Sequence, residues 1–345
     1  MGGLRPLIFI YFQIKRKGGF YFMPIIVSIL LLVIGMVLLI KGADFFVEGA
    51  SNIAKALHIP TLVIGLTLVS IGTSAPEFAV SLTASLKGAN DLSFGNIVGS
   101  NIFNTFVVIG VSAIITPLVV SKNMQKYDLP ILAGIYLLLT LFSFVISAGT
   151  IQRWEAIILF SLTIIYTVFL IFREKKNAQE EENIEEKKKP WWLNLIYVGV
   201  GLAGIIIGGD FVVDGAKDVA SKLGMSEMLI GLTIVAVGTS LPELVTSIVA
   251  AKKGENDIAV GNAIGSCIFN VVLILGFCSI LSPANVDTRP LYALFDVLIM
   301  ISTVIIIFVF SLKKREINKL HGIIMITLYV IYLTVIILRD TGVFL

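Results

Sequence analysis

The sequence predicts an all-α polytopic membrane protein: ten transmembrane helices arranged as two inverted-topology five-helix repeats. Three observations predict it. Apolar residues make up 57% of the 345-residue chain and charged residues only 14%, with a mean hydropathy of +0.97. Nearly all of the charge falls in short breaks between apolar runs of 17–28 residues. The first half of the chain also recurs in the second. A soluble domain of this length needs far more charge to cover its surface, whereas apolar runs of this length cross a bilayer as helices.

Residues 1–22 are read as an extension ahead of a start at Met23, because their apolar run Leu7–Ile14 is too short to span and no small-residue cleavage site follows it. The first repeat, 23–172, holds spans at 25–42, 60–86, 92–119, 129–149 and 154–172. A polar linker, 173–190, follows; it is rich in Glu and Lys and too short for a folded regulatory domain. The second repeat, 191–345, holds spans at 191–209, 226–251, 258–283, 290–312 and 322–338.

Basic residues set the orientation. With the start of the first span outside, the cytoplasmic loops, central linker included, carry 16 Lys and Arg, against 6 outside. This reading describes a multi-pass protein of the cell membrane with a cytoplasmic linker. Only residues 1–22 run against the bias, with Arg5, Lys15, Arg16 and Lys17 on the outer side. Asp44, Glu48, Asp210 and Asp214 read as solvated charges near helix ends.

Several function classes lose support at this point. Cys267 and Cys278 lie in apolar helices without a CxxC pattern and read as free thiols filling space. His58 and His321 have no partner at metal-ligand spacing, so neither a zinc site nor a catalytic triad is supported. No nucleophile/base pair and no cofactor fingerprint is present, so the chain reads as a non-enzyme without a cofactor. The net charge of +3 sits at membrane boundaries and does not suggest nucleic acid.

The repeat decides the architecture. At an offset of 166, Gly35–Asn104 aligns without a gap on Gly201–Asn270, and 33 of 70 positions are identical. Glycines and polar residues match best, as in Gly42, Asp44 and Gly49 with Gly208, Asp210 and Gly215, so shared apolar composition is not the cause. Five spans per half is an odd number, so the second half enters the membrane from the opposite side. Two near-equal inverted halves can exchange inward-open and outward-open shapes around one central site, as carriers do and channels need not.

Polar residues concentrate in the second and third spans of each half. The second spans carry Gly72-Thr73-Ser74-Ala75-Pro76-Glu77 and Gly238-Thr239-Ser240-Leu241-Pro242-Glu243. The third spans carry Asn96, Ser100 and Asn104, matched by Asn262, Ser266 and Asn270, each set at four-residue spacing along one helix face. An unpaired carboxylate at the centre of a membrane helix costs roughly 3 kcal/mol by insertion scales, and these spans hold no Lys or Arg to compensate it. A bound cation can. Pro76 and Pro242 lack the N–H that would bond the carbonyl four residues back, which loosens carbonyls around Thr73 and Thr239. Asn96 and Asn262 read as helix–helix adhesive, and Gly95/Gly99 and Gly261/Gly265 keep the helix thin for close approach. The donor set is all oxygen, which suits calcium above all, and two carboxylates can hold one divalent ion or several monovalent ions in turn.

These doubled GTS-x-PE and GN-x-x-GS-x-x-x-N motifs resemble the α-repeats of the cation/calcium exchanger superfamily, particularly its prokaryotic sodium/calcium exchanger branch. The resemblance covers both repeats and the ten-span layout. It implies a sodium/calcium antiporter in which Glu77 and Glu243 hold calcium with the backbone carbonyls of Thr73 and Thr239. It implies sodium sites from the same glutamates with Ser74, Ser100, Ser240, Ser266 and Ala236, the last matched by Ser70 in the first half. Several sodium-dependent relatives place an aspartate at one of the positions held here by Asn104 and Asn270, so this core offers only two carboxylates. Proton/calcium exchangers typically carry a glutamate shortly after the GN pair, where this chain has Gly99 and Gly265; sodium coupling therefore ranks above proton coupling, which stays open as the alternative, with a passive cation channel behind both.

Overall fold

A computed structural model describes residues 24–57, 60–88, 90–147, 149–177, 191–223, 236–286 and 290–340. The predicted extension, most of the predicted linker and the first part of the seventh predicted span lie outside the described residues. Among the described residues, eight helices are long and apolar enough to cross a membrane, and a ninth candidate is a pair of helices bent by 49°.

In chain order the helices are α1 (Ile25–Leu57), the bent pair α2 (Thr61–Thr73) and α3 (Ala75–Leu86), α4 (Asp91–Ile115), α5 (Met124–Ile146) and α6 (Arg153–Asn177). After the linker come α7 (Trp191–Lys222), α8 (described over Ala236–Gly238), α9 (Leu241–Lys252), α10 (Asn256–Leu281), α11 (Pro290–Leu312) and α12 (Lys319–Asp340).

Two helices are longer than their apolar runs. The predicted spans 25–42 and 191–209 continue as α1 and α7 for 33 and 32 residues. Asp44, Glu48, Asp210 and Asp214 are therefore not near helix ends; they lie well inside α1 and α7. The charges that end the apolar runs are absorbed by neighbours rather than by loops: Asp44 faces Lys41 at 3.7 Å and Lys253 at 3.5 Å, and the buried Asp218 accepts from Ser28 and Lys222.

Glycines explain how α1 and α7 come together. Gly35, Gly42 and Gly49 recur every seven residues on α1, as do Gly201, Gly208 and Gly215 on α7. Seven residues are close to two turns, so each set lies on one face. The helices run antiparallel and nearly touch backbone to backbone: a Cβ at Gly201 would fall 2.5 Å from the Phe46 nitrogen, one at Gly42 2.7 Å from that of Ile205, and one at Gly208 2.7 Å from that of Leu39. No larger residue permits that approach.

The centre of the molecule is formed by α4 and α10, whose apolar windows are 83% and 78% buried against 11–39% for the other candidate spans. Both widen into a π-helical turn, Asn104–Val108 in α4 and Asn270–Leu275 in α10. At the periphery, ion pairs tie neighbouring helices: the buried pair of Arg173 and Asp128 at 2.9 Å joins α6 to α5, and the half-buried pair of Arg339 and Asp296 at 3.2 Å joins α12 to α11. Two small antiparallel strand pairs link the halves. β1 (Leu118–Val119) pairs with β4 (Glu316–Ile317), and β2 (Thr150–Ile151) pairs with β3 (Ala284–Asn285).

Candidate cation site

The site begins with two interruptions. Instead of continuous helices with loosened carbonyls, the GTS-x-PE segments break at Ser74 (φ −79°, ψ 10°) and Ser240 (φ −95°, ψ 9°), and helix resumes as α3 and α9. Pro76 and Pro242 fall in the first turn of the resumed helices, where their missing N–H leaves no bond unmade. Glu77 and Glu243 fall in the same turns, so the positive end of each helix dipole lies beneath a carboxylate.

Both glutamates are fully buried, and each is held by the break of the other half. Ser240 donates to Glu77 Oε1 at 2.8 Å, and Ser74 donates to Glu243 Oε1 at 2.9 Å. Ser100 adds a longer bond to Glu77 Oε1 at 3.4 Å. The second oxygen, Oε2, of each glutamate is buried without a hydrogen-bond partner. Burying polar atoms of this kind unpaired costs about 1–3 kcal/mol apiece, more for a charged group, so the arrangement asks for a compensating charge.

The asparagines at the start of the third-span motifs fasten it to the second. Asn96 Nδ2 donates to the Glu77 carbonyl at 3.3 Å and to Ser81 Oγ at 3.0 Å; Asn262 Nδ2 donates to the Glu243 carbonyl at 3.1 Å and to Ser247 Oγ at 2.9 Å. Thr73 Oγ1 donates to Asn262 Oδ1 at 2.9 Å, which brings the first break onto α10. Ser266 donates to the Ser70 carbonyl at 3.4 Å, while the Ser70 hydroxyl is spent on the Leu66 carbonyl at 2.8 Å. Gly261 and Gly265 allow this contact: a Cβ at either would press on the backbone of Gly65 or Leu66 at 3.1 Å or less. The residues that Gly95 and Gly99 would meet by the same relation, Gly231 and Leu232, lie outside the described residues.

The structure thus gathers Glu77, Glu243, Ser74, Ser240 and Ser100 directly, whereas Thr73 bonds to Asn262 and Ser266 to the Ser70 carbonyl rather than to a glutamate. Thr239 Oγ1 is buried without a hydrogen-bond partner. Ala236 lies in α8, the helical segment that leads to the break at Ser240. Asn104 and Asn270 make no bond to the glutamates: both amide atoms of Asn104 and the oxygen of Asn270 are buried and unpartnered, and Asn270 Nδ2 donates instead to Asn101 Oδ1 at 3.0 Å. The four-residue stripe predicted for each third span meets its π turn at this third member, and such turns are frequent at functional sites. Among the described residues no group of three or more His, Cys, Asp or Glu side chains gathers to hold a metal ion.

The profile of the sodium/calcium exchanger protein family matches residues 27–172 and 193–338. The chain belongs to the sodium/calcium exchanger family. This exchanger is 35% identical to sodium/calcium exchanger MaX1 of Methanosarcina acetivorans, over 90% of the chain and 99% of the relative. It is 36% identical to inner membrane protein YrbG of Escherichia coli, over 79% of the chain and 86% of the relative. Its fold is similar to that of the sodium-calcium exchanger NCX_Mj soaked with Na+ and Sr2+, with a TM-score of 0.78 and 31% identity over 90% of this chain and 99% of that one. The exchanger is accordingly a mostly helical, multi-pass membrane antiporter.

Proposed function

We propose that this exchanger carries calcium in one direction and sodium in the other by alternating access, the two cations binding in turn between Glu77 and Glu243. One observation carries the reading: two fully buried glutamates, each bonded by the serine of the opposite break, each with one oxygen unpartnered. Calcium would take Glu77 and Glu243 with the backbone carbonyls of Thr73 and Thr239. Sodium would take the same carboxylates with Ser74, Ser100, Ser240, Ser266, Ser70 and the Ala236 position, bordered by Asn104 and Asn270. With the site empty, two negative charges in an apolar interior oppose the change of state; with cations bound they are neutralised and the change is allowed. Sodium rather than proton coupling is supported by Gly99 and Gly265 and by the likeness to sodium/calcium exchanger MaX1.

The reading includes ten spans in two inverted repeats, 23–172 and 191–345, either side of a cytoplasmic linker, 173–190. Its support is that contacts recur across the offset of 166: Ser74–Glu243 with Ser240–Glu77, and Asn96–Glu77 with Asn262–Glu243. The strand pairs agree with the predicted sidedness: β4 belongs to a loop predicted cytoplasmic and β1 ends the third predicted span on that side, while β2 and β3 belong to loops predicted external.

Purified protein in sodium-loaded vesicles is expected to take up radiolabelled calcium only while sodium runs outward. Uptake that ignores sodium and follows an imposed proton gradient would overturn the coupling, and flux without any counter-ion would make the protein a channel.

A further inference from the structure

Asn101 lies one residue beyond Ser100 on α4 and is wholly buried. Its counterpart 166 positions on is Cys267, and the two meet where α4 crosses α10. Asn101 Nδ2 donates to the Cys267 carbonyl at 3.1 Å, and the Cys267 thiol donates to the Asn101 carbonyl at 3.6 Å. With its nitrogen committed to that carbonyl, the Asn101 amide has one orientation, and Oδ1 is left as an acceptor. That oxygen receives Asn270 Nδ2 at 3.0 Å.

The orientation is thereby passed on. Asn270, its nitrogen bound, is left with Oδ1 as its free end, and this oxygen is buried without a partner. Asn104 has no such relay: the position that would orient it is Cys267, whose sulfur is a weak acceptor, and both of its amide atoms are unpartnered. The repeats differ at this position, Asn101 against Cys267, and the difference orients one asparagine and not the other.

We propose that Asn101 is a positioning residue for cation selectivity: by holding Asn270 Nδ2 it keeps the Asn270 oxygen, rather than its N–H groups, turned to a monovalent cation. This rests on the reading in which Asn270 borders the ion path. Sodium is the ion most affected, because a calcium ion between two carboxylates is held chiefly by charge, whereas a neutral oxygen supplies a larger share of the hold on a monovalent ion.

The test measures half-saturating sodium and calcium separately for the full chain in vesicles. Asn101→Cys, which copies the residue found at position 267, is expected to raise half-saturating sodium about fivefold to tenfold, the size of one lost hydrogen bond, and to move calcium by less than about twofold. In an Asn270→Ala background the same change is expected to add nothing, because Asn101 acts only through Asn270. Equal shifts for both ions, or fully additive effects, would reduce Asn101 to a packing contact and overturn the proposal. If Asn270→Ala leaves both ions unaffected, the placing of Asn270 on the ion path fails, and the proposal with it. If Asn270→Ala weakens sodium while Asn101→Cys does not, the proposal falls alone. Should Asn101→Cys not fold, Cys267→Asn supplies Asn104 with the acceptor it lacks; tighter sodium binding by a similar factor supports the relay, and no change overturns it.

Discussion

At the scale of single residues, the site is a set of exchanges between halves. Ser74 and Ser240, small enough to stand at a helix break, each reach the glutamate of the other half. Glu77→Gln or Glu243→Gln keeps the volume and removes the charge. Each is expected to cost about 3 kcal/mol of calcium binding, on the order of a hundredfold in half-saturating calcium, with the purified protein still monodisperse and helical. Calcium flux at the unaltered rate in the double variant would remove the glutamates from the site. That the two glutamates and the serines of the breaks come together was legible in the sequence because they recur at a fixed offset in a setting where a carboxylate has no other justification. Asn101 was not, because an alignment of repeats draws attention to what matches, and position 101 matters where it differs from position 267.

At the scale of elements, hydropathy located the helices but not their ends or their breaks. It closes a span at the first charge, yet α1 passes Asp44 and continues to Leu57 because a carboxylate that finds Lys41 and Lys253 need not leave the helix. Proline at position 76 hinted at loosened carbonyls; the full break two residues earlier at Ser74 and the π turns opening at Asn104 and Asn270 depend on packing between helices, which periodicity does not encode. The glycine seam between α1 and α7 sets a sharper test. Gly201→Ala places a methyl group 2.5 Å from the Phe46 nitrogen and is expected to destabilise the protein by about 1–3 kcal/mol, read as a lower unfolding midpoint in detergent. Gly134→Ala, on the exposed face of α5 with no atom of another element within 4 Å, serves as the control and is expected to hold the midpoint or raise it slightly, since alanine favours the helix over glycine.

At the scale of the whole molecule, the repeat predicted a polytopic carrier, and family membership and the likeness to NCX_Mj agree with it. The strand pairs were beyond reach from the sequence: two-residue strands have no pattern of their own, and they form because distant loops arrive at the same place. Because β1 grips β4 and β2 grips β3, the molecule is buttoned along two hems, and the chain joining the halves is not their only tie. Two fragments cut within that join, residues 1–180 and 190–345, should find each other when made in the same cell, copurify on a tag carried by one of them, and restore sodium-driven calcium uptake to vesicles. Fragments that elute singly would mean that the fastenings close only under a covalent tether.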